Sequence, residues 1–303
     1  MKRASLALLL TLLGAGCHSD LIFDDAQLQL DDASVHDIAR LVSKEGPPNA
    51  ARPPIPVAIL VHGFGATTFE LQPVADALGA QGIRVSQVLL RGHGTTPRDQ
   101  AARSFEDWEE PIRRENAELA ALGWPEPTFV AASLGAALTL DLLARGQLQP
   151  APHRLVLVSP LIEFADWRGR FLPLFVRLGV RGSRVDWNGA SAGHWYRTRP
   201  SAALLELRRL TDRNRAALAH GIQLPPGSRV LVIHSDGDRT VSGRGLGELE
   251  RGLPGAQIEI VRVATDLHVP VKPVGCDRPW TQEEIAIQHD LLSRISIFAA
   301  QDQ

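Results

Sequence analysis

The sequence is poor in cysteine, with only Cys17 and Cys276 among its 303 residues. Structural zinc sites need four closely spaced cysteine or histidine ligands, so this pattern gives no indication of a bound metal. Neither sign of charge dominates, because the formal net charge is -2. Proteins that bind nucleic acids usually carry a basic surface that releases counterions from phosphates. We therefore expect neither a metal site nor a nucleic-acid partner.

The sequence also lacks internal repeats and low-complexity tracts. Hydrophobic residues make up 44% of the chain and charged residues 22%, which is the composition of a globular protein with a full core. This length and composition predict one globular domain, with or without an inserted segment.

The first 16 residues have the features of an export signal. Lys2 and Arg3 supply a positive start, and the apolar run from Leu6 to Leu13 is too short to span a bilayer as a mature helix. The segment LLGAGC, which ends at Cys17, resembles the lipobox of bacterial lipoproteins. That resemblance implies that residues 1–16 are a lipoprotein signal peptide and that Cys17 carries lipid. Leucine is more usual than Gly14 three positions before the cysteine, and the alternative is an ordinary secretory signal with an incidental cysteine.

The lipoprotein interpretation places the protein in a bacterial cell envelope, exported and anchored to a membrane through Cys17. In some bacteria an aspartate after the cysteine retains lipoproteins in the inner membrane; His18 stands there instead, which favours the outer membrane. With Cys17 lipidated, Cys276 has no intramolecular disulfide partner. A lone cysteine is more typical of an inert, partly buried thiol than of a reactive one.

Residues 17–55 are predicted to be an N-terminal tether and linker. Within them, Ile38, Leu41 and Val42 stand at helical spacing, so this piece is a docking helix or part of the tether, with the helix preferred. The proline-rich stretch from Gly46 to Pro56 cannot continue a helix and is typical of a semi-rigid linker. The folded domain is therefore expected at residues 56–303.

Five short apolar runs, each ending in a polar or glycine-containing loop, are predicted to be strands. They are Val57–Val61, the run IRVSQV from Ile83, Phe129–Ala132, the run HRLVLV from His153, and Val230–Ile233. Helical stretches such as FELQPVADALGAQG and LGAALTLDLLARG separate them. This alternation predicts an α/β fold with a mostly parallel sheet and helices on both faces. In such sheets the chemistry lies at the carboxyl ends of the strands.

The segment AASLG, from Ala131 to Gly135, follows the third predicted strand. It differs by one residue from G-x-S-x-G, the tight strand-to-helix turn that presents a nucleophilic serine. Alanine adds only a methyl group to glycine, so we expect the turn to be kept. The Ser133 hydroxyl would then be exposed, and the Leu134 NH would be free to donate to an oxyanion. Taken alone, the segment is equally compatible with a serine that caps a helix.

A nucleophilic serine needs a base, an acid that orients the base, and a second oxyanion donor. The loop HGFG makes the Phe64 NH the candidate donor; its glycines fit neither G-x-G-x-x-G nor a Walker pattern, which disfavours a phosphate site. Asp238, in HSDGD after a late strand, is the candidate acid, with Asp236 as a turn residue. His268, after the strand-like run Gln257 to Val263, is the candidate base. The order serine, aspartate, histidine is that of the α/β-hydrolase fold.

The ordered set of motifs resembles the bacterial carboxylesterase and monoacylglycerol-lipase branch of the α/β-hydrolase superfamily. The motifs are HGFG, RGHGTTP, SFEDW, A-x-S-x-G, HSDGD and the late DLH, and the resemblance covers nearly all of residues 56–300. It implies that Ser133 is the nucleophile, His268 the general base and Asp238 the orienting acid. The backbone NH groups of Phe64 and Leu134 would form the oxyanion hole, and no metal or organic cofactor would be needed.

Two positions depart from the family pattern: Ala131 replaces a glycine, and Ser235 stands where the family often has glycine. Neither change removes a catalytic group. His93 and Asp107 are shared with these relatives, but their neighbours indicate structural roles, and His62 is expected to shape the oxyanion loop rather than to transfer protons.

Between residues 161 and 222 the strand pattern stops, and the resemblance implies a helical cap over the active site. A helix-like aromatic and aliphatic stripe comes first, followed by the predicted helix SAALLELRRLTDRNRAALAHGI; the stripe consists of Phe164, Trp167, Phe171, Leu174, Phe175 and Leu178. Such a stripe is more often plain packing than a binding surface, but it would also make an apolar wall for an acyl chain.

Together these features predict a lipid-anchored α/β hydrolase that cleaves small-molecule or lipid carboxylic esters through an acyl-enzyme. One alternative is acyl transfer to an alcohol or a lipid by the same three residues. Another is a catalytically silent hydrolase-like lipoprotein that binds apolar ligands or partner proteins, and the intact serine, aspartate and histidine argue against it.

Overall fold

The computed structural model describes residues 56–124, 126–166, 171–185, 193–272 and 280–300. Within these ranges, six parallel strands form one sheet in the order β2-β1-β3-β4-β7-β8. Their bounds are Val57–Val61 for β1, Arg84–Val88 for β2, Thr128–Ala132 for β3, Arg154–Val158 for β4, Arg229–Ser235 for β7 and Gln257–Val263 for β8. The remaining pair, β5 (Gly182–Arg184) and β6 (Thr198–Pro200), is antiparallel and lies apart from this sheet.

The central strands are buried on both faces, as the continuous apolar runs predicted. Every residue of β1 and β3 is buried, whereas the edge strand β8 is partly exposed along its alternating sequence QIEIVRV. The register pairs Ala132 of β3 with Val158 of β4, and Val158 with Ile233 of β7. The loops that follow these three strands therefore leave the sheet side by side.

Helices cover both faces of the sheet, which confirms the predicted fold class. Their bounds are α1 Gln72–Ala80, α2 Pro97–Ala101, α3 Phe105–Ala121, α4 Leu134–Ala144, α5 Leu172–Arg177, α6 Ser201–His220, α7 Gly245–Gly252 and α8 Gln282–Ala300. A short 3-10 helix, Thr68–Leu71, precedes α1. Apolar side chains of α3, α4, α6 and α7 share one core with one face of the sheet, and those of α1 and α8 share a second core with the other face.

Helix α3 shows how a family-like motif can serve local structure. The Ser104 hydroxyl accepts a hydrogen bond from the Asp107 NH, and the Asp107 carboxylate accepts one from the Ser104 NH at 2.9 Å. This capping box satisfies backbone donors that would otherwise have no partner at the helix start. Asp107 in SFEDW is thus placed as a capping residue.

The segment between β4 and β7 departs from its predicted helical stripe. Among the described residues of the stripe region, 164–166 and 171–178, only Leu172–Arg177 forms a helix, and none of its residues is buried. Pro173 is tolerated because it lies in the first turn, and Gly179 ends the helical stretch with a φ of 89°. Phe164 forms a bridge to Val241 instead, and Trp167 lies outside the described residues.

Helix α6, from the same segment, packs into the main core rather than standing apart from it. Leu207 and Leu210 are buried in the core shared with α4. The Asn214 side chain donates a hydrogen bond to the Ala137 carbonyl of α4 at 2.8 Å. The C-terminal third of the predicted cap is therefore a structural helix of the α/β body.

Across the described ranges, no helix combines the length and hydropathy needed to cross a membrane. The predicted signal peptide, the tether with Ile38, Leu41 and Val42, and both Cys17 and Cys276 lie outside those ranges.

Candidate active site

Ser133 occupies a strained turn between β3 and α4. Its φ is 49° and its ψ is -108°, a conformation that is unfavourable for a residue with a side chain. Two backbone hydrogen bonds hold it: the Ser133 NH donates to Val158 at 2.9 Å, and the Leu161 NH donates to Ser133 at 3.3 Å. The turn therefore projects the serine from the carboxyl end of the sheet, as a nucleophile elbow does.

The two small residues flanking this turn are under different constraints. A Cβ atom on Gly135 would lie 2.4 Å from the Val61 carbonyl oxygen and 2.8 Å from that of His62, so only glycine lets α4 approach the end of β1. Ala131, at the position where the motif has its first glycine, is fully buried within β3 opposite Val61 and Leu157. Its methyl group belongs to the apolar core, which is why alanine is compatible with the turn.

The structure brings Ser133, His268 and Asp238 together. The distance from His268 Nε2 to Ser133 Oγ is 2.9 Å, and that from His268 Nδ1 to Asp238 Oδ2 is 2.7 Å. An ionised carboxylate can only accept, so Nδ1 carries the proton and Nε2 is left to accept the serine hydroxyl hydrogen. The three side chains thus form the hydrogen-bonded chain that nucleophilic catalysis requires.

Asp238, rather than Asp236, faces the histidine. The Asp238 side chain is 0% exposed, and its Oδ1 accepts from the NH groups of Thr240 at 2.7 Å and Val241 at 3.2 Å. Asp236 is about half exposed and pairs with Arg262 of β8, with Oδ1 at 2.6 Å from Nη2. Asp236 is a turn residue, as predicted, and its carboxylate pairs with the neighbouring strand β8.

Two backbone NH groups beside Ser133 have no acceptor among the described residues: those of Phe64 and Leu134. Leu134 is the first residue of α4, where an NH has no partner within the helix. The loop of Phe64 is close to the serine, because a Cβ atom on Gly63 would lie 3.4 Å from Ser133 Cβ. Both groups therefore remain candidates for the predicted oxyanion donors.

His62 and His93 are buried and structural in their contacts. Burial lowers the pKa of His62 to about 4 and that of His93 well below its usual value. His62 Nε2 accepts from the Leu90 NH at 3.2 Å, so Nδ1 is protonated and donates to the Gly63 carbonyl at 2.8 Å. His93 Nδ1 lies 3.2 Å from the Arg91 carbonyl. Both rings are neutral and fix loops around the serine.

Sequence reasoning missed Glu70, which is only 3% exposed. Its Oε2 accepts from the Gly63 NH at 2.5 Å. Burial raises the pKa of this carboxyl, while the Gly63 hydrogen bond and the charges of His268 and Lys272 oppose that rise. A glutamate near the start of a predicted helix is usually a solvated residue, so the sequence carried no signal for this contact.

Tyr196, the single tyrosine of the chain, was also missed. Its hydroxyl donates to the Gly92 carbonyl at 2.8 Å and accepts from the Thr95 NH at 2.9 Å. The Tyr196 NH donates to the Gly65 carbonyl at 2.9 Å. The segment inserted after β4 is thereby fastened to two loops at the carboxyl end of the sheet.

Within the part of the chain that the structure describes, no group of three histidine, cysteine, aspartate or glutamate side chains is arranged to hold a metal ion.

Comparison with known proteins agrees with this architecture. Residues 58–274 match the alpha/beta hydrolase family. The chain is 28% identical over 222 residues to the thermostable monoacylglycerol lipase of Bacillus sp. (strain H-257), a match that covers 70% of this chain and 82% of that protein.

Solved structures with the same fold include lipolytic enzymes. One, from work on the metagenome-derived lipolytic enzymes LipS and LipT, has a TM-score of 0.64 at 19% identity and covers 80% of this chain and 94% of its own. Monoglyceride lipase from Saccharomyces cerevisiae has a TM-score of 0.61 at 15% identity, and the match covers 84% of this chain and 90% of that chain. The chain belongs to the alpha/beta hydrolase family, and it is a hydrolytic enzyme.

Proposed function

We propose that the protein is a serine carboxylic-ester hydrolase that acts through an acyl-enzyme formed on Ser133. The observation that carries this proposal is the chain of hydrogen bonds from Ser133 Oγ through His268 to Asp238, with distances of 2.9 and 2.7 Å. The strained turn at Ser133 supports it, because such strain is retained where a side chain must be presented.

In the proposed reaction, His268 Nε2 accepts the hydroxyl proton as Ser133 Oγ attacks the ester carbonyl carbon. The carbonyl oxygen becomes an oxyanion and accepts hydrogen bonds from the NH groups of Phe64 and Leu134. The intermediate collapses, the bond to the alcohol breaks, and the imidazolium returns the proton to the leaving alkoxide. Water then attacks the acyl-enzyme with the same proton transfers, releasing the acid and restoring Ser133.

Asp238 would fix the tautomer of His268 and stabilise its charged form. Its own position is fixed by the NH groups of Thr240 and Val241, which occupy Oδ1 and leave Oδ2 for the histidine. A buried carboxylate supported in this way keeps the imidazole oriented through both halves of the reaction.

A lipid ester, with a monoacylglycerol as the leading candidate, is the proposed substrate class. The relatives named as monoacylglycerol or monoglyceride lipases support it, as does the apolar surface of the segment after β4. Phe171, Leu174 and Leu178 are 42%, 52% and 58% exposed. Apolar groups held at the surface in this number are suited to contact an acyl chain.

The proposal also includes anchoring through lipid on Cys17, which would hold the enzyme at a membrane of the bacterial envelope, with the outer membrane preferred because His18 follows the cysteine. The motif LLGAGC supports it. A tether of residues 18–55 would then join the anchor to the folded domain.

Covalent labelling and an ester panel test the enzymatic part. A fluorophosphonate should label the wild type and not Ser133→Ala, and only the wild type should hydrolyse nitrophenyl esters. A folded wild type that is not labelled would point to a binding protein, and acyl transfer to added alcohols in place of hydrolysis would show a transferase. Absence of labelling with a folded protein would contradict the proposal.

The substrate class is tested with nitrophenyl esters of graded chain length and a monoacylglycerol. We expect medium acyl chains to be preferred over acetate, and Phe171→Asp to reduce this preference with little change in stability, because Phe171 is exposed. Leu122, exposed to a similar 39% at the end of α3, provides Leu122→Asp as the matched control. A preference for acetate that neither substitution alters would contradict the proposed acyl site.

A further inference from the structure

We propose that Glu70 is a positioning residue for the oxyanion hole, fixing the peptide that carries the Gly63 NH, next to the peptide that carries the Phe64 NH. The inference rests on the proposed function and adds to it a residue outside the serine, histidine and aspartate set. Glu70 itself touches no reacting atom; it acts through the backbone of the loop HGFG.

Both peptide units of Gly63 are held by side chains. Its NH donates to Glu70 Oε2 at 2.5 Å, and its carbonyl accepts from His62 Nδ1 at 2.8 Å. In a planar trans peptide the carbonyl and the following NH point in opposite directions. Fixing the Gly63 carbonyl therefore also fixes the direction of the Phe64 NH, the proposed oxyanion donor.

Glu70 packs directly against this part of the loop. A Cβ atom on Gly63 would lie 2.9 Å from Glu70 Oε2, 3.2 Å from Oε1 and 3.4 Å from Ser133 Cβ. The carboxyl group therefore takes the space that a side chain at Gly63 would need, beside the serine. A change in the length or polarity of residue 70 would therefore first alter the conformation of the loop that contains Gly63.

The carboxyl group is held by contacts from two further segments. The Trp195 side chain, from the segment after β4, forms a hydrogen bond with it, and the indole NH can only donate. Lys272, on the loop that carries His268, is a nearby positive charge, and its Nζ donates to the Phe69 carbonyl at 2.6 Å. This positive charge favours the ionised form of the Glu70 carboxyl group.

Packing alone does not account for a carboxyl group here. Burying a carboxyl group is unfavourable unless its oxygens find hydrogen-bond donors, whereas an apolar side chain of similar volume would fill the space at no such cost. Two donors, the Gly63 NH and the Trp195 indole NH, instead require acceptors at this point. Glutamate supplies an acceptor for both donors, which explains the choice of side chain.

Glu115 offers a matched control for burial and charge. It is also 3% exposed, and it accepts from the Ser86 hydroxyl of β2 at 2.6 Å. Its contact lies in the core between α3 and β2, not on the oxyanion loop. Glu70→Met and Glu115→Met thus remove equivalent buried carboxyl groups with different neighbours.

The test compares kcat, KM and the affinity for a trifluoromethyl ketone, which forms a tetrahedral adduct, with thermal stability measured in parallel. Removing an oxyanion donor costs about 100-fold to 1,000-fold in kcat, so a misdirected donor in Glu70→Met should cost roughly 10-fold to 100-fold. KM should change little, and the ketone affinity should fall in proportion to kcat/KM. Glu115→Met should lose stability and keep kcat.

Glu70→Gln gives a second test that does not depend on the folding of the methionine variant. One amide oxygen then replaces two carboxylate oxygens, so Gly63 and Trp195 compete for it, and kcat should fall several-fold. Adding Trp195→Phe removes one competitor, and kcat of the double variant should return to that of Trp195→Phe alone. A double variant that shows no recovery would overturn the inference.

The controls separate this inference from the proposed function. An active wild type and an inactive Ser133→Ala establish the reaction independently of Glu70. A kcat of Glu70→Met within about threefold of wild type, or a loss confined to KM, would then overturn the positioning role alone. A wild type that hydrolyses no ester would overturn both.

Discussion

The Tyr196 hydroxyl donates a hydrogen bond to the Gly92 carbonyl, and the two residues are 104 positions apart in the chain. This contact joins the segment after β4 to the loop that follows β2. Tyr196→Phe removes only the hydroxyl and leaves the Gly92 carbonyl and the Thr95 NH unsatisfied. We expect a loss of about 1–3 kcal/mol in the free energy of unfolding, measured by urea denaturation. An unchanged midpoint would show that water replaces the hydroxyl.

Asp238→Asn should abolish most of the turnover. The amide can no longer fix the tautomer of His268 or stabilise its charge, and comparable changes in other triads lower turnover up to about 10,000-fold. Asp236→Asn is the matched control, because Asp236 pairs with Arg262 at the surface and such pairs contribute about 1 kcal/mol or less. Steady-state kinetics measures the turnover of both variants, and circular dichroism checks that both are folded. An inactive Asp236→Asn together with an active Asp238→Asn would show that Asp236, not Asp238, is the acid that orients His268.

Ala131→Gly, which restores the usual first glycine of the elbow, should not improve the enzyme. Glycine inside a buried strand loses packing and costs conformational entropy, about 1 kcal/mol, so the melting temperature should fall while kcat stays within about twofold. Gly135→Ala is the contrasting change, because its Cβ atom would lie 2.4 Å from the Val61 carbonyl oxygen. It should disrupt the turn and the activity. Higher activity in Ala131→Gly would contradict the view that the methyl group is harmless.

The free energy of unfolding should fall as the pH decreases from about 6.5 to 4. Burial lowers the pKa of His62 from 6.5 to about 4 in the folded protein, so in this window the unfolded chain binds more protons. The stability contributed by the neutral ring is fully present when the pH is above the pKa of His62 in the unfolded chain. It is lost as the pH falls towards the pKa of His62 in the folded protein. For His62 alone the loss is at most about 3 kcal/mol.

Urea denaturation between pH 4 and 8 checks this dependence. His62→Asn keeps a donor near the position of Nδ1 but does not titrate, so its stability should vary less with pH than that of the wild type. Parallel curves for the two proteins would show that His62 is not the source of the effect.

Cys17→Ser should release the protein from membranes when it is expressed with its own signal. Acyl chains contribute about 0.8 kcal/mol per buried methylene group, so a lipidated wild type should sediment with membranes and the variant should not. The lone Cys276 provides Cys276→Ser as the control, which should behave as the wild type. Equal partitioning of Cys17→Ser and wild type would contradict anchoring at this residue.

The regular parts of the fold could be predicted from the sequence because their signals are local. The predicted bounds of β1, a buried apolar run, and of the alternating run Gln257 to Val263 match the structure, since both runs end at turn or loop residues. The predicted positions of Ser133 and Asp238 also followed from strand ends. Their proximity to His268 is a consequence of parallel strands opening at one edge of the sheet.

The segment after β4 was less predictable. Aromatic and aliphatic residues at helical spacing predict one long stripe, but Pro173 and Gly179 limit the helix to six residues. Glu70 could not be assigned from sequence at all, because its partners Gly63 and Trp195 are distant in the chain and meet only in the folded protein. Polar contacts between residues far apart in the chain produce no periodic pattern in the sequence.

The packing of α6 limits how this enzyme can be re-engineered. Suppose that the substrate range were to be changed by exchanging the stretch between β4 and β7 with that of a relative. Here the Arg213 guanidinium binds Asp141 of α4, and Asn214 binds the same helix, so a graft that replaced α6 would remove part of the support beneath the elbow. The part that can be exchanged therefore ends before Ser201. Chimeras joined before Ser201 keep α6 and should fold, whereas chimeras joined at Gly221 lose it and should not.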